Sequence, residues 1–281
     1  MIPVIKPQEL KNLQQNENLV LIDVRTGPDM AAQYEARHLQ GALFADLETD
    51  LANKKADAAN GGRHPLPDIT IFAQFLGKLG IGPESMVVAY DDKSGANAAA
   101  RFWWMLKAAG HENVAVLDGG LAAAVAAGYP TNNGPETPTS RSPYSVSSWQ
   151  LPLATIEEVE NVAQDADFLV IDVRDAARYR AEVEPIDLIA GHIPGARNIP
   201  FTNNLDPEGF YLPADELKQK YTEALGSRST DQVIVHCGSG VTACHTLLAM
   251  DYAGLPMPKL YVGSWSEWSR TARPIGTGAE N

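Results

Sequence analysis

The chain has 281 residues, 44% apolar and 20% charged, with a formal net charge of −13, an ordinary globular composition long enough for two domains with separate cores. The charge and the lack of any Lys/Arg cluster argue against nucleic acid as a partner, and no apolar run approaches the roughly 20 residues of a membrane span. Any anionic substrate must be held by a few local cations and oriented backbone dipoles, against the field of the whole molecule.

The first stretch, MIPVIKPQELKNLQQ, has no basic region followed by an apolar core, so no signal peptide is expected. LVLIDVR (19–25) then reads as a buried strand, and RHLQGALFADL (37–47) follows it. GGRHPLP (61–67) is a glycine- and proline-rich loop carrying Arg63 and His64. MVVAYDD (86–92) and VAVLDG (114–119) are short β-rich runs of the kind buried in parallel sheets. Between them, AAARFWWMLKAAG (98–110) has helical apolar spacing and closes on glycine. TNNGPETPTSRSPYS (131–145) carries three prolines and no periodicity, and reads as an extended linker over the surface.

The second half then repeats the first. FLVIDVR (168–174) matches LVLIDVR, GHIPGARNIPF (191–201) matches RHLQGALFADL, and QVIVHCG (232–238) matches MVVAYDD. GLPMPKLYVGSWSEWSRTARP (254–274) matches GHENVAVLDGGLAAAVAAGYP (110–130). Four blocks in one order mean a duplicated domain. An α/β fold is expected, with tandem domains over 1–130 and 155–281, a linker over 131–154, and in each domain a central, mostly parallel sheet flanked by helices.

Ligands in such sheets sit beyond the carboxyl ends of the strands. Cys237 stands at one such end, after VIVH, while the matching position of the first copy is Asp91. Cys237-Gly238-Ser239-Gly240-Val241-Thr242 is a glycine-punctuated loop opening a helix, VTACHTLLAMDYAG (241–254). Such a loop turns amides inward and forms an anion site, suited to a thiolate or a persulfide. Ser239 and Thr242 add hydroxyl donors. A cysteine phosphatase would need an arginine six positions past the cysteine, and Ala243 stands there. A thioredoxin-like site would need Cys-x-x-Cys, whereas Cys244 is seven residues on and reads as a small apolar helix residue. Two cysteines cannot staple a chain of this size, so free thiols in a reducing, cytoplasmic setting are expected.

Together these residues resemble the tandem rhodanese-type sulfurtransferases, which pair a first domain lacking the cysteine with a second that carries the loop. The DVR strand, GHIPGA (191–196) and YVGSWSEW (261–268) are shared, and CGSGVTA (237–243) is similar to the loop of 3-mercaptopyruvate sulfurtransferases. The likeness runs from about Leu19 to Pro274. It implies two rhodanese-like domains, a non-catalytic first one and a catalytic second one. Cys237 would attack the sulfur of a small anionic donor, become a persulfide, and pass the sulfur to a thiophilic acceptor such as cyanide, a small thiol or a thioredoxin-like protein. Arg178 matches the arginine that binds the donor's carboxylate or sulfonate, with Gly238, Gly240, Val241 and Thr242 forming the rest of the substrate cradle. His64 matches a loop histidine and Ser239 the loop serine of a proton relay, whose aspartate is most loosely matched by Asp50.

Two departures bear on the donor. Mercaptopyruvate enzymes often carry a second arginine shortly before GHIPG, and Ile186 stands near that place. Rhodanese loops place basic residues at the second and third positions, here the neutral Gly238 and Ser239. On balance 3-mercaptopyruvate is the expected donor. Thiosulfate with cyanide as acceptor is the alternative, and a non-catalytic sulfur carrier or scaffold is a third reading. Arg174 is assigned to the domain framework because Arg25 is its twin, Arg180 to solvent, and His236 and His245 to structure. RFWWML and SWSEW read as core aromatics. No metal or cofactor is expected, since no Cys/His cluster has ligand spacing.

Overall fold

A computed structural model describes residues 1–279; Glu280 and Asn281, the end of the expected C-terminal domain, lie outside the described residues. The chain forms two compact units. Unit 1 comprises Met1–Asn53, Pro67–Gln150 and Pro207–Tyr211, and unit 2 comprises Lys54–Leu66, Leu151–Asp206 and Leu212 onward.

The sheet of unit 1 is built from β1 (Val4–Ile5), β2 (Leu19–Asp23), β4 (Ala42–Phe44), β5 (Met86–Tyr90) and β6 (Val114–Leu117), ordered β1-β6-β5-β2-β4 and parallel throughout. A two-stranded antiparallel pair, β3 (His38–Leu39) with β7 (Thr131–Asn132), lies beside it in sequence. Unit 2 is built from β8 (Leu169–Asp172), β9 (Arg197–Asn198), β10 (Val233–His236) and β11 (Lys259–Leu260), ordered β11-β10-β8-β9 and again parallel. The two orders superpose strand for strand through the repeated blocks. Leu153 even bridges Leu260 in parallel, at the edge that β1 occupies in unit 1.

Burial explains why these runs are strands. Val114–Leu117, Leu169–Asp172 and Val233–His236 are buried at every position, as both faces of a helix-covered parallel sheet require. Two helices start at side-chain caps. Asp68 accepts from the Thr70 amide before Ile69–Lys78, and Thr155 accepts from the Glu158 amide before Ile156–Val162. The helix Ala243–Tyr252 is buried from Ala243 to Met250 and is therefore apolar nearly all round.

The duplicated DVR strand ends in a duplicated ion pair. Arg25 forks onto the Asp23 carboxylate and donates to the Arg37 carbonyl at 2.8 Å; Arg174 forks onto Asp172 and donates to the Gly191 carbonyl at 2.7 Å. His38 stacks on Tyr34 and His192 on Tyr179 in the same way. This is the framework role expected for Arg174.

The units do not divide where the repeat does. The proline-rich 131–145 stretch belongs to unit 1, because the amides of Arg141 and Tyr144 bond to the carbonyls of Gly77 and Ala73. Lys54–Leu66, from the first half of the sequence, belongs to unit 2. Gly61 N–H donates to Glu267 at 2.8 Å and Arg63 N–H to Ser266 Oγ at 3.0 Å. Gly62 between them has φ +82°, and a side chain there would run into the Gly263 carbonyl.

Candidate active site

The last residue of β10 is His236, and the loop 237–242 carries the chain from it into the helix Ala243–Tyr252. The carbonyls on the near side of the loop are tied down from one segment. Trp265 N–H donates to Cys237 O at 3.0 Å and Ser266 N–H to Gly238 O at 2.8 Å, while Cys237 N–H donates to Ser264 Oγ at 3.1 Å. This is what the SWSEW stretch does; its rings are also core, Trp265 being buried and lying 4.8 Å from the Arg174 guanidinium. Gly240 adopts φ +73° against the Val262 backbone, a conformation a side chain would strain.

The amides of Gly238, Ser239 and Val241 have no hydrogen-bond partner among the described residues. Unit 1 shows what that arrangement can hold. There the matching loop wraps the Asp91 carboxylate, which accepts from the amides of Lys93 and Gly95, each at 2.8 Å, and of Asn97 and Ala99 at 3.0 and 3.2 Å. Burial raises the Asp91 carboxyl, and those amides oppose the rise. Lys93 and Gly95 stand two and four positions past Asp91, as Ser239 and Val241 do past Cys237. One repeat thus encloses its own carboxyl side chain, and the other leaves three loop amides without a partner beside a cysteine that is 2% exposed.

The two residues expected to form a proton relay come together. His64 Nδ1 lies 2.8 Å from Ser239 Oγ. Asp50 belongs to unit 1, where its carboxylate accepts from the Asp46 amide.

The cations that the loop sequence lacks arrive from elsewhere. A β-carbon on Gly238 would stand 3.2 Å from Arg63 Nη2 and 3.7 Å from both terminal nitrogens of Arg178. The neutral residues at 238 and 239 therefore do not make a neutral site. Arg178 was expected here; Arg63 was not, although it sits beside His64 in the same loop. The only warning was its place after the Gly61–Gly62 pair, which marks a close backbone approach. Ile186, near the place of a second family arginine, is exposed.

The guanidiniums are held by two acids. Asp187 accepts from Arg63 Nη1, from Arg178 Nη2 at 3.2 Å and from Arg270 Nη1 at 3.3 Å. Glu184 accepts from Arg178 Nη2 at 2.8 Å and from the amides of Ile186 and Asp187. Burial works against the Glu184 carboxylate, but those amides and Arg178 bring its carboxyl below the ordinary value. Arg63 Nη2 and Arg178 Nη1, facing Gly238, keep their N–H groups without a partner among the described residues.

The remaining candidates fall into structural places. Arg180 pairs with Glu182 in solvent. His236 is fully buried beside Asp172, with its ring lowered in basicity chiefly by burial, and His245 packs on Phe201 and Asn204. The Cys244 thiol donates to the Gly240 carbonyl at 3.4 Å from inside the helix. No group of three or more His, Cys, Asp or Glu arranged to hold a metal is found among the described residues, and no helix there is long and apolar enough to cross a membrane.

The family model for the rhodanese-like domain matches twice, over residues 6–127 and 155–271. The chain belongs to the rhodanese family. Both rhodanese-like domains have the α/β architecture described above. One relative is the "Probable 3-mercaptopyruvate sulfurtransferase" of Pseudomonas aeruginosa, 41% identical over 283 residues and covering 98% of each chain. The thiosulfate sulfurtransferase of Rattus norvegicus is 35% identical over 86% of this chain and 80% of its own. Among solved structures, the 3-mercaptopyruvate sulfurtransferase from Leishmania major aligns with a TM-score of 0.82 at 29% identity, over 95% of this chain and 74% of that one.

Proposed function

We propose that this rhodanese-family chain is a sulfurtransferase that takes sulfur from 3-mercaptopyruvate onto Cys237 and delivers it to a thiophilic acceptor. The observation that carries the reading is the pairing, at one loop, of two unpartnered guanidinium edges beside Gly238 with the His64–Ser239 contact. Arg178 and Arg63 hold the donor's carboxylate. The Cys237 thiolate attacks the donor's sulfur, an S–S bond forms, and the C–S bond breaks with its electron pair left on carbon. The products are a Cys237 persulfide and pyruvate, whose methyl group gains the proton of the donor's thiol. His64 and Ser239 pass that proton. The amides of Gly238, Ser239 and Val241, with Gly240 shaping the turn and Thr242 at its end, stabilise the persulfide anion. The acceptor then removes the outer sulfur and restores the thiolate.

Thiosulfate is the second reading, because two guanidiniums beside the cysteine also suit a compact dianion. It leaves the His64–Ser239 pair without a task, since thiosulfate brings no proton. Single-turnover mixing with each donor, read by the mass gain of one sulfur on Cys237, decides between them. A higher kcat/KM with 3-mercaptopyruvate is expected; a preference for thiosulfate under matched conditions overturns the choice of donor. No persulfide from either donor would leave the non-catalytic carrier reading standing.

Arg178→Ala should lower kcat/KM for the donor by on the order of thirtyfold or more, as removing one partner of a largely buried charge pair costs at least about 2 kcal/mol. Attack of cyanide on preformed persulfide should suffer less. Equal loss in both half-reactions would make Arg178 a structural residue.

A further inference from the structure

The segment Val183–Ile189 has its polarity reversed. Val183, Ile186, Leu188 and Ile189 are exposed, at 52%, 57%, 74% and 46%, while the Asp187 side chain between them is completely buried. A carboxylate is normally the group that faces water. Here it is turned inward by three guanidiniums, those of Arg63, Arg178 and Arg270. Glu184 holds the turn in place through the Ile186 and Asp187 amides.

The charges at this cluster can be counted. Arg174 pairs with Asp172 and also reaches Glu184 at 3.5 Å, and together with Asp172 it adds no net charge. Three guanidiniums, Arg63, Arg178 and Arg270, then face two carboxylates, Asp187 and Glu184, which leaves one net positive charge. Without Asp187 it would be two. With the Cys237 thiolate left to the loop amides, a donor with one carboxylate matches the charge these guanidiniums leave over, whereas a dianion exceeds it. The one charge that separates this site from one matched to a dianion is that of Asp187.

We infer that Asp187 is a specificity-determining residue: its buried negative charge sets the donor site to accept a monoanionic sulfur donor over a dianionic one. It also positions Arg63 and Arg178 so that Nη2 of the first and Nη1 of the second face Gly238. The inference rests on the proposed sulfurtransferase reading but can fail separately from it.

The test compares Asp187→Asn and Asp187→Glu with the unmodified enzyme, using 3-mercaptopyruvate and thiosulfate. The readout is the ratio of the two kcat/KM values, which a general loss of structure would not move in one direction. In Asp187→Asn the ratio should shift toward thiosulfate by on the order of tenfold, mainly through a lower thiosulfate KM. In Asp187→Glu, which keeps the charge, it should stay within about twofold of the starting value. An unchanged ratio in Asp187→Asn, or an equal shift in both variants, overturns the inference. Should Asp187→Asn fail to fold, the unmodified enzyme still gives an answer. Acetate should protect Cys237 from iodoacetamide at lower concentration than sulfate does, and the reverse order overturns the inference. Failure of Cys237 to take sulfur from 3-mercaptopyruvate sinks the function reading alone, because anion protection is measured without turnover.

Discussion

Cys237→Ser should abolish sulfur transfer with every donor, by at least about 10⁴-fold, the scale on which removing a catalytic nucleophile acts. The substitution changes one atom and leaves the loop's backbone bonds untouched, since Trp265, Ser266 and Ser264 hold only main-chain groups of residues 237 and 238. What is lost is chemistry. A serine hydroxyl remains protonated near neutral pH and forms no persulfide, so both half-reactions lose their covalent carrier. Turnover with both donors and intact mass after donor mixing check this. Substantial residual transfer in the pure variant would mean that sulfur moves through another group. Cys244→Ala is the control. Its thiol is fully buried in the helix, bonded to the Gly240 carbonyl, and most activity should remain. An equally complete loss there would make the site a dithiol.

Much of the fold was legible because the chain states it twice. LVLIDVR and FLVIDVR show that both DVR strands are buried, and Asp23–Arg25 and Asp172–Arg174 form the same fork in both units. Cys237 stood out in the sequence as a candidate because it opens a glycine-punctuated loop at a strand end. The cations were legible only in part. Arg178 lies near its partners in sequence, six residues from Glu184 and nine from Asp187. Arg63 reaches Asp187 across 124 positions, and Arg270 reaches it across 83. No periodicity or local spacing reports a contact of that separation. The same limit hid the placement of Lys54–Leu66, whose membership of unit 2 rests on Gly62 meeting the Gly263 carbonyl. In the first repeat the cradle was hidden for another reason. Asp91 reads as an ordinary acid at a strand end until its four amide donors are seen.

Arg174→Ala should destabilise unit 2 by about 3–5 kcal/mol, the usual cost of leaving one member of a buried ion pair alone. Arg174 and Arg178 are four residues apart, yet they do different work. The Asp172 carboxylate is completely buried and receives three side-chain bonds from Arg174 within 3.0 Å. Burial alone would raise its carboxyl, but Arg174 and then His236 bring it below the ordinary value. A depressed carboxyl contributes stability above its unfolded-state pKa and loses it as pH falls through the folded value. In Arg174→Ala that contribution disappears, so the melting temperature should drop most at neutral pH and less in acid. Arg25→Ala should repeat the effect through Asp23 in unit 1. Arg178→Ala should move the melting temperature far less, because Glu184 keeps its two amides and Asp187 keeps Arg63 and Arg270. Adding Asp172→Asn to Arg174→Ala should recover part of the loss, since the lone buried charge is then gone. A melting temperature unchanged in Arg174→Ala, together with a raised donor KM, would move Arg174 out of the framework and into the donor site.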